Sequence, residues 1–172
     1  IGLVAIGYVQ SGSVSVHDEI TMLPSGGTGS VKSLQVMDDD VPTAGAGDRV
    51  GIALRNAKEE SLSGTCLIVL PELEDKRKDI HRPLALESHS LSQINLNVSP
   101  FQKRKLTVGD VLHASIDLQF VVGRVETIDG GAGTVRWETP LLQRIEDPPS
   151  VLIAQLDSKP RIMGDANLIK LE

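Results

Sequence analysis

A chain of 172 residues, 40% of them hydrophobic, can build a core, and its length fits two barrels of roughly 75 to 100 residues each. The net charge of −6 gives no global basic field, so any RNA contact must come from a local basic patch or from backbone groups. Only Tyr8, Phe101, Phe120 and Trp137 are aromatic, which leaves a core of Val, Ile, Leu and Ala and argues against a base-stacking, single-strand-binding protein.

In chain order, residues 3–9 form an apolar run, Ser11-Gly12-Ser13 gives a turn signal, and Val14, Val16 and Ile20 carry the pattern on to Leu23. This predicts a β-hairpin. Residues 24–29, with three glycines, predict a loop, and residues 31–37 a third strand. Gly45, Gly47 and Gly51 punctuate the next stretch. After Gly47 come Asp48-Arg49, then Val50, Ile52 and Leu54 at period two, a turn feeding a half-buried strand. With a strand over 65–70, residues 1–70 hold about five short strands and no helical apolar stripe, the pattern of a small barrel. Cys66 is the only cysteine, which excludes an internal disulfide and fits a reducing compartment, the cytoplasm.

Residues 71–82 carry Glu72, Glu74, Asp75, Lys76, Arg77, Lys78 and Asp79 without a core stripe, so 71–86 reads as an interdomain linker with a helical turn. A second strand series follows over 91–98, 113–122, 123–128, 134–138, 151–156 and 166–171, broken by turns at 129–133 and 146–149. The expected fold is all-β, two tandem barrels over 1–70 and 87–172. Basic groups gather in the second half: residues 1–70 have four basic and eight acidic side chains, residues 71–172 thirteen and fifteen. No apolar run is long enough to span a bilayer, and no charged-then-apolar leader opens the chain, so neither a membrane nor DNA is an expected partner. The chain opens on Ile1 rather than methionine, which reads as a fragment or processed product of a longer protein.

No catalytic constellation assembles. His17, His81, His89 and His113 show neither helical metal spacing nor a cysteine partner, and read as surface or turn histidines. Asp38-Asp39-Asp40 lacks the spacing of a calcium loop and reads as a solvated loop. The glycine clusters at 26–29 and 130–133 have no following Lys-Ser/Thr, so no nucleotide or metal is expected on this chain itself.

GLVAIGYV at 2–9, SGSVSVHDEI at 11–20 and above all AGDRVGIAL at 46–54 resemble domain II of elongation factor Tu and its relatives. Residues 87–172 would then be domain III, with KPRIMG at 159–164 resembling that family's final turn before the last strand. Ser33-Leu34-Gln35-Val36 followed by Ala-Gly-Asp-Arg-Val-Gly is most similar to the selenocysteine-specific and archaeal SelB-like branch. Elongation factor Tu has glutamate where Gln35 falls, against the terminal adenosine, and asparagine where Arg49 falls. The family's GTPase domain, carrying GTP and Mg2+, would precede Ile1.

The resemblance implies an aminoacyl-tRNA partner, a GTPase domain in cis and the ribosome, with no covalent chemistry on these barrels. A cleft between two barrels holds a tRNA 3′ end with backbone amides and a few polar side chains. Contacts to the terminal nucleotide and aminoacyl group fall on Gln35, Val36, Met37, Gly47 and Arg49. Arg49 pairing with a neighbouring carboxylate is the structural alternative. Contacts to the tRNA backbone fall on Lys103, Arg104, Lys105, Lys159, Arg161 and Gly164, against a solvated loop for 103–105. Two other readings stay open: a protein-docking module that does not bind tRNA, suggested by the acidic first half, and the tRNA-binding barrels of an initiation-factor subunit.

Overall fold

The computed structural model describes residues 2–62, 66–75 and 80–172. The chain divides into two compact units, Ile1–Leu84 and Ala85–Glu172, and the described residues are all-β apart from one 3₁₀ turn at Glu59–Leu62. Among the described residues, no helix is long and apolar enough to cross a membrane.

The first unit contains β1 (Val4–Tyr8), β2 (Ser13–Ser15), β3 (Glu19–Leu23), β4 (Gly27–Val36), β5 (Asp39–Val41), β6 (Thr43–Gly45), β7 (Arg49–Arg55) and β8 (Leu67–Val69). One sheet runs β1-β7-β4-β3-β8 with β5 also on β4, while β2 and β6 form a separate ladder. The expected hairpin between the first two segments is not formed. Instead β1 lies antiparallel to β7, Val4 opposite Ala53 and Tyr8 opposite Arg49, and β2 pairs with β6. The second segment is also broken in two: His17 adopts φ 76°, and the Asp18 carboxylate accepts the Ser15 amide at 2.8 Å. That turn stops a single strand from running on to Leu23 and sends β2 away from β3.

The glycine-rich stretch read as a loop is half strand, since β4 starts at Gly27. A Cβ on Gly27 would overlap the Ser61 side chain, and one on Gly29 would meet Ala57 and the Arg55 carbonyl at 3.1 Å. Glycine here lets the segment after β7 lie directly against β4. The core of the unit comes from alternate positions of β3 (Ile20, Met22) and β7 (Val50, Ile52, Leu54), and from Val31 and Leu34 of β4, which flank a register shift. Burying each such side chain contributes about 1.5–3 kcal/mol.

Within the segment read as a linker, β9 (Leu73–Asp75) pairs antiparallel with β10 (Ile80–Arg82). Lys76, Arg77, Lys78 and Asp79 lie outside the described residues, as does the His81 side chain.

The second unit is a closed barrel in the order β11 (Leu86–Val98), β14 (Ala132–Arg144), β13 (Gln119–Asp129), β12 (Val111–Ile116), β15 (Val151–Ala154), β16 (Ile162–Lys170). The single strand expected over 113–122 is two strands. Asp117 and Leu118 turn the chain at φ 44° and 66°, with Ile116 opposite Gln119. Asp117 suits the first position of a primed turn, but Leu118 stands where glycine is usual, so the signal is weak. The buried Gln119 side chain anchors the hairpin, donating from Nε2 to the Leu142 carbonyl at 2.7 Å and accepting the Leu142 amide at 3.0 Å.

The expectation that all the histidines are surface or turn residues fails at His89, which is fully buried beside a register shift in β11. Its Nδ1 is 2.9 Å from Ser92 Oγ, which also accepts the Trp137 indole N–H at 2.9 Å, and its Nε2 is 3.2 Å from Glu87. Burial pushes its pKa below the ordinary value, and Glu87 opposes that only in part. His17 is an exposed turn residue, and His113 stacks on Phe120 with ring centroids 5.0 Å apart.

Candidate functional site

On the first unit, strand alternation decides which candidates share a face. Val36 pairs with Val50 and packs on the core, so of the predicted cluster it is the residue turned inward. Gln35 is exposed and sits opposite Gly51, which in turn sits opposite Ile6. Asp40 completes this row across β5, and its Oδ1 accepts the Gln35 amide at 3.0 Å. Nothing lies within 4 Å of where a Gly51 Cβ would stand, so the row has an open gap between Ile6 and Gln35.

Above the gap, the next row holds Arg49 opposite Tyr8. Arg49 is exposed and has no ion-pair partner among the described residues, so the structural pairing weighed for it is not made. Gly47 sits at φ 95° in the turn that delivers β7. Its amide donates to the Val9 carbonyl at 2.9 Å, while Asp48 Oδ2 accepts the Gly45 amide at 2.8 Å. The turn therefore fixes where Arg49 emerges, and Gly47 supplies the φ that other residues resist.

Met37 is 91% exposed at the tip of the β4–β5 hairpin, where Met37 and Asp38 take φ 52° and 69°. Of the acidic triad only Asp38 lies in the loop, because Asp39 and Asp40 belong to β5. Sequence reasoning missed the apolar side of this face. Val4, Ile6 and Tyr8 stand 48%, 72% and 57% exposed on β1. Their signal was present in the period-two pattern of 4, 6 and 8, hidden within a run apolar at almost every position.

On the second unit, the basic candidates come from two segments that one side chain joins. The Gln102 amide nitrogen is 2.7 Å from the Pro160 carbonyl, 3.2 Å from Ser158 Oγ and 3.3 Å from the Ile162 carbonyl. Its oxygen accepts the Arg104 amide at 2.9 Å. This brings the loop bearing Lys103, Arg104 and Lys105 against the turn bearing Lys159 and Arg161.

Arg104 is committed elsewhere, paired with Asp110 at 2.9 Å. Partial burial pushes the Asp110 carboxyl up, but the Thr107 amide, Gln155 and Arg104 outweigh it and hold its pKa below the ordinary value. Lys103, Lys105, Lys159 and Arg161 are exposed and have no ion-pair partner among the described residues. Gly164 offers no surface. It is buried at φ 151°, and a Cβ there would overlap the Asn97 carbonyl, so its role is close packing of β16 on β11.

Residues 2–69 match the family model for elongation factor Tu domain 2. The fold and this match point to one class: the first unit is similar to the elongation factor Tu domain 2 family. More particularly, the chain is similar in sequence to a selenocysteine-specific elongation factor and in fold to a SelB factor. The uncharacterized protein MJ0325 of Methanocaldococcus jannaschii is 31% identical over 129 residues, 75% of this chain and 38% of that protein. A selenocysteine-specific elongation factor of the same organism is 32% identical over 109 residues, 63% of this chain and 23% of that factor. In fold, the chain resembles translation elongation factor SelB of Methanococcus maripaludis in its apo form, with a TM-score of 0.75 and 24% identity over 99% of this chain and 40% of that one. The chain thus spans less than half the length of each of these relatives.

Proposed function

We propose that the chain is the aminoacyl-tRNA-binding body of a SelB-like translation elongation factor, working in the cytoplasm with a GTPase domain in cis and with the ribosome. GTP and Mg2+ belong to that GTPase domain. The observation that supports this most is the outward row Ile6, Gly51, Gln35 with Arg49 above it. A gap floored by glycine, walled by an apolar side chain and an amide, and overlooked by a free guanidinium suits a terminal nucleoside with its ester-linked amino acid. Arg49 offers a cation to a phosphate or carbonyl of this end group, while Asp40 holds the Gln35 amide beside it.

Filter binding of the chain to charged and uncharged tRNA tests the reading. Charged tRNA is expected to bind more tightly, and Arg49→Ala to reduce that difference; equal binding of both forms would remove it. The exposed Val4, Ile6 and Tyr8 favour a second reading, in which this face docks a protein partner. Protection of the tRNA acceptor end in footprinting separates the two.

A further inference from the structure

Phe101 is 79% exposed and is followed directly by Gln102, Lys103, Arg104 and Lys105. The turn that carries it is fixed. Gln102 N donates to the Ser99 carbonyl at 2.9 Å, Ser99 N donates to the Met163 carbonyl at 2.8 Å, and the Gln102 side chain clasps the 158–162 turn. Phe120 differs, for its ring already stacks on His113. Phe101 is therefore an open ring on a pinned loop, among four exposed cations that form no ion pair with any described residue: Lys103, Lys105, Lys159 and Arg161. The acidic residues nearby are largely engaged. Asp110 holds Arg104, and Asp165 accepts from Asn97 and Ser150, which leaves Asp157 on the turn.

We propose that this surface is a binding site for an unpaired nucleotide of RNA, its base stacked on Phe101 and its flanking phosphates held by Lys103, Lys105, Lys159 and Arg161. Gln102 is the positioning residue that holds ring and cations together. A duplex backbone needs only the cations, whereas a ring beside them recognises a base that has left its stack. The low aromatic content does not weigh against this, because one ring serves one base. The site goes beyond the acceptor-end contacts and does not depend on them.

The test uses Phe101→Trp as a reporter, since the native Trp137 is buried. Titration with a single-stranded hexa-adenylate at low salt is expected to quench emission from the introduced indole, and a blunt duplex of equal length to leave it unquenched. Phe101→Ala should weaken hexa-adenylate binding about tenfold, and Gln102→Ala should weaken it severalfold with the melting temperature of the barrel nearly unchanged. Equal quenching by the duplex, or no binding of hexa-adenylate, would overturn the proposal. Because the probe is neither a tRNA nor aminoacylated, the result stands whether or not the acceptor-end reading does.

Discussion

On the first unit the candidate residues stand on hydrogen-bonded strands. Gln35, Gly51 and Ile6 are placed by register, and Arg49 opens β7 opposite Tyr8. On the second unit they stand on a loop and on the turn between β15 and β16, tied together by the Gln102 side chain and the Ser99–Met163 backbone bond. The first surface joins apolar side chains, the Gln35–Asp40 pair and the Arg49 guanidinium, and the second is cationic. A shape that must discriminate one end group is set by the most rigid element available. A surface that binds a backbone through long flexible cations tolerates loops, provided something keeps the cations close.

Glycine substitutions break this comparison most strongly. Gly164→Ala should destabilise the second unit by about 3 kcal/mol or more in urea titration, because the added carbon meets the Asn97 carbonyl at a φ that resists a side chain. Gly51→Val, placed in open space on a strand, should change stability of the first unit by less than about 1 kcal/mol. It should nevertheless impair discrimination of charged tRNA, since it fills the gap beside Gln35. Stability loss at Gly51 with binding intact would place the acceptor end elsewhere.

Next in size, Arg49→Ala should cost about 1–3 kcal/mol of charged-tRNA affinity if the guanidinium meets an acceptor on the ligand. Acidification sharpens the comparison from the side of stability. Burial holds His89 below its unfolded pKa of about 6.5, so the unfolded chain takes up the proton first. The stability of the second unit should be full above that value and fall as pH drops through it, by at most about 1.4 kcal/mol per pH unit. It should level off once the folded state is also protonated. His89→Gln should flatten this dependence in thermal melts between pH 7 and pH 5.

The smallest effect belongs to the single lysines. Lys103→Ala should leave stability unchanged and reduce the salt slope of RNA binding by about 0.7 to 0.9. A change in sequence preference instead would mean that Lys103 reads bases.

Period-two patterns were legible wherever one face was buried, as in Val50, Ile52 and Leu54, and they carried the all-β assignment. Pairing was not. Residues 3–9 and 14–23 look like neighbours in a hairpin, yet the His17 turn and the register with β7 decide otherwise, and neither leaves a mark in local composition. The Asp117-Leu118 turn was easy to miss because Leu118 stands where glycine is usual, and the buried Gln119 anchors the hairpin from within the barrel. At the candidate sites, the residue types of Gln35 and Arg49 were readable, but the inward turn of Val36 and the engagement of Arg104 by Asp110 depend on phase and on tertiary contact. Gln102 carried no signal at all, since a glutamine in a basic loop is ordinary until its acceptors are known.

The pairing of β1 with β7 also bears on how the molecule is made. Val4 must find Ala53, roughly fifty residues later, before the first strand has a partner. A contact that distant is slow to form, because the intervening loop has to close first. During synthesis, β1 leaves the ribosome with its apolar side chains uncovered and waits several seconds for β7 at ordinary elongation rates. The exposed Val4, Ile6 and Tyr8 therefore belong to a segment with a long unsheltered interval, and substitutions there are expected to alter yield in the cell before they alter the stability of the finished fold.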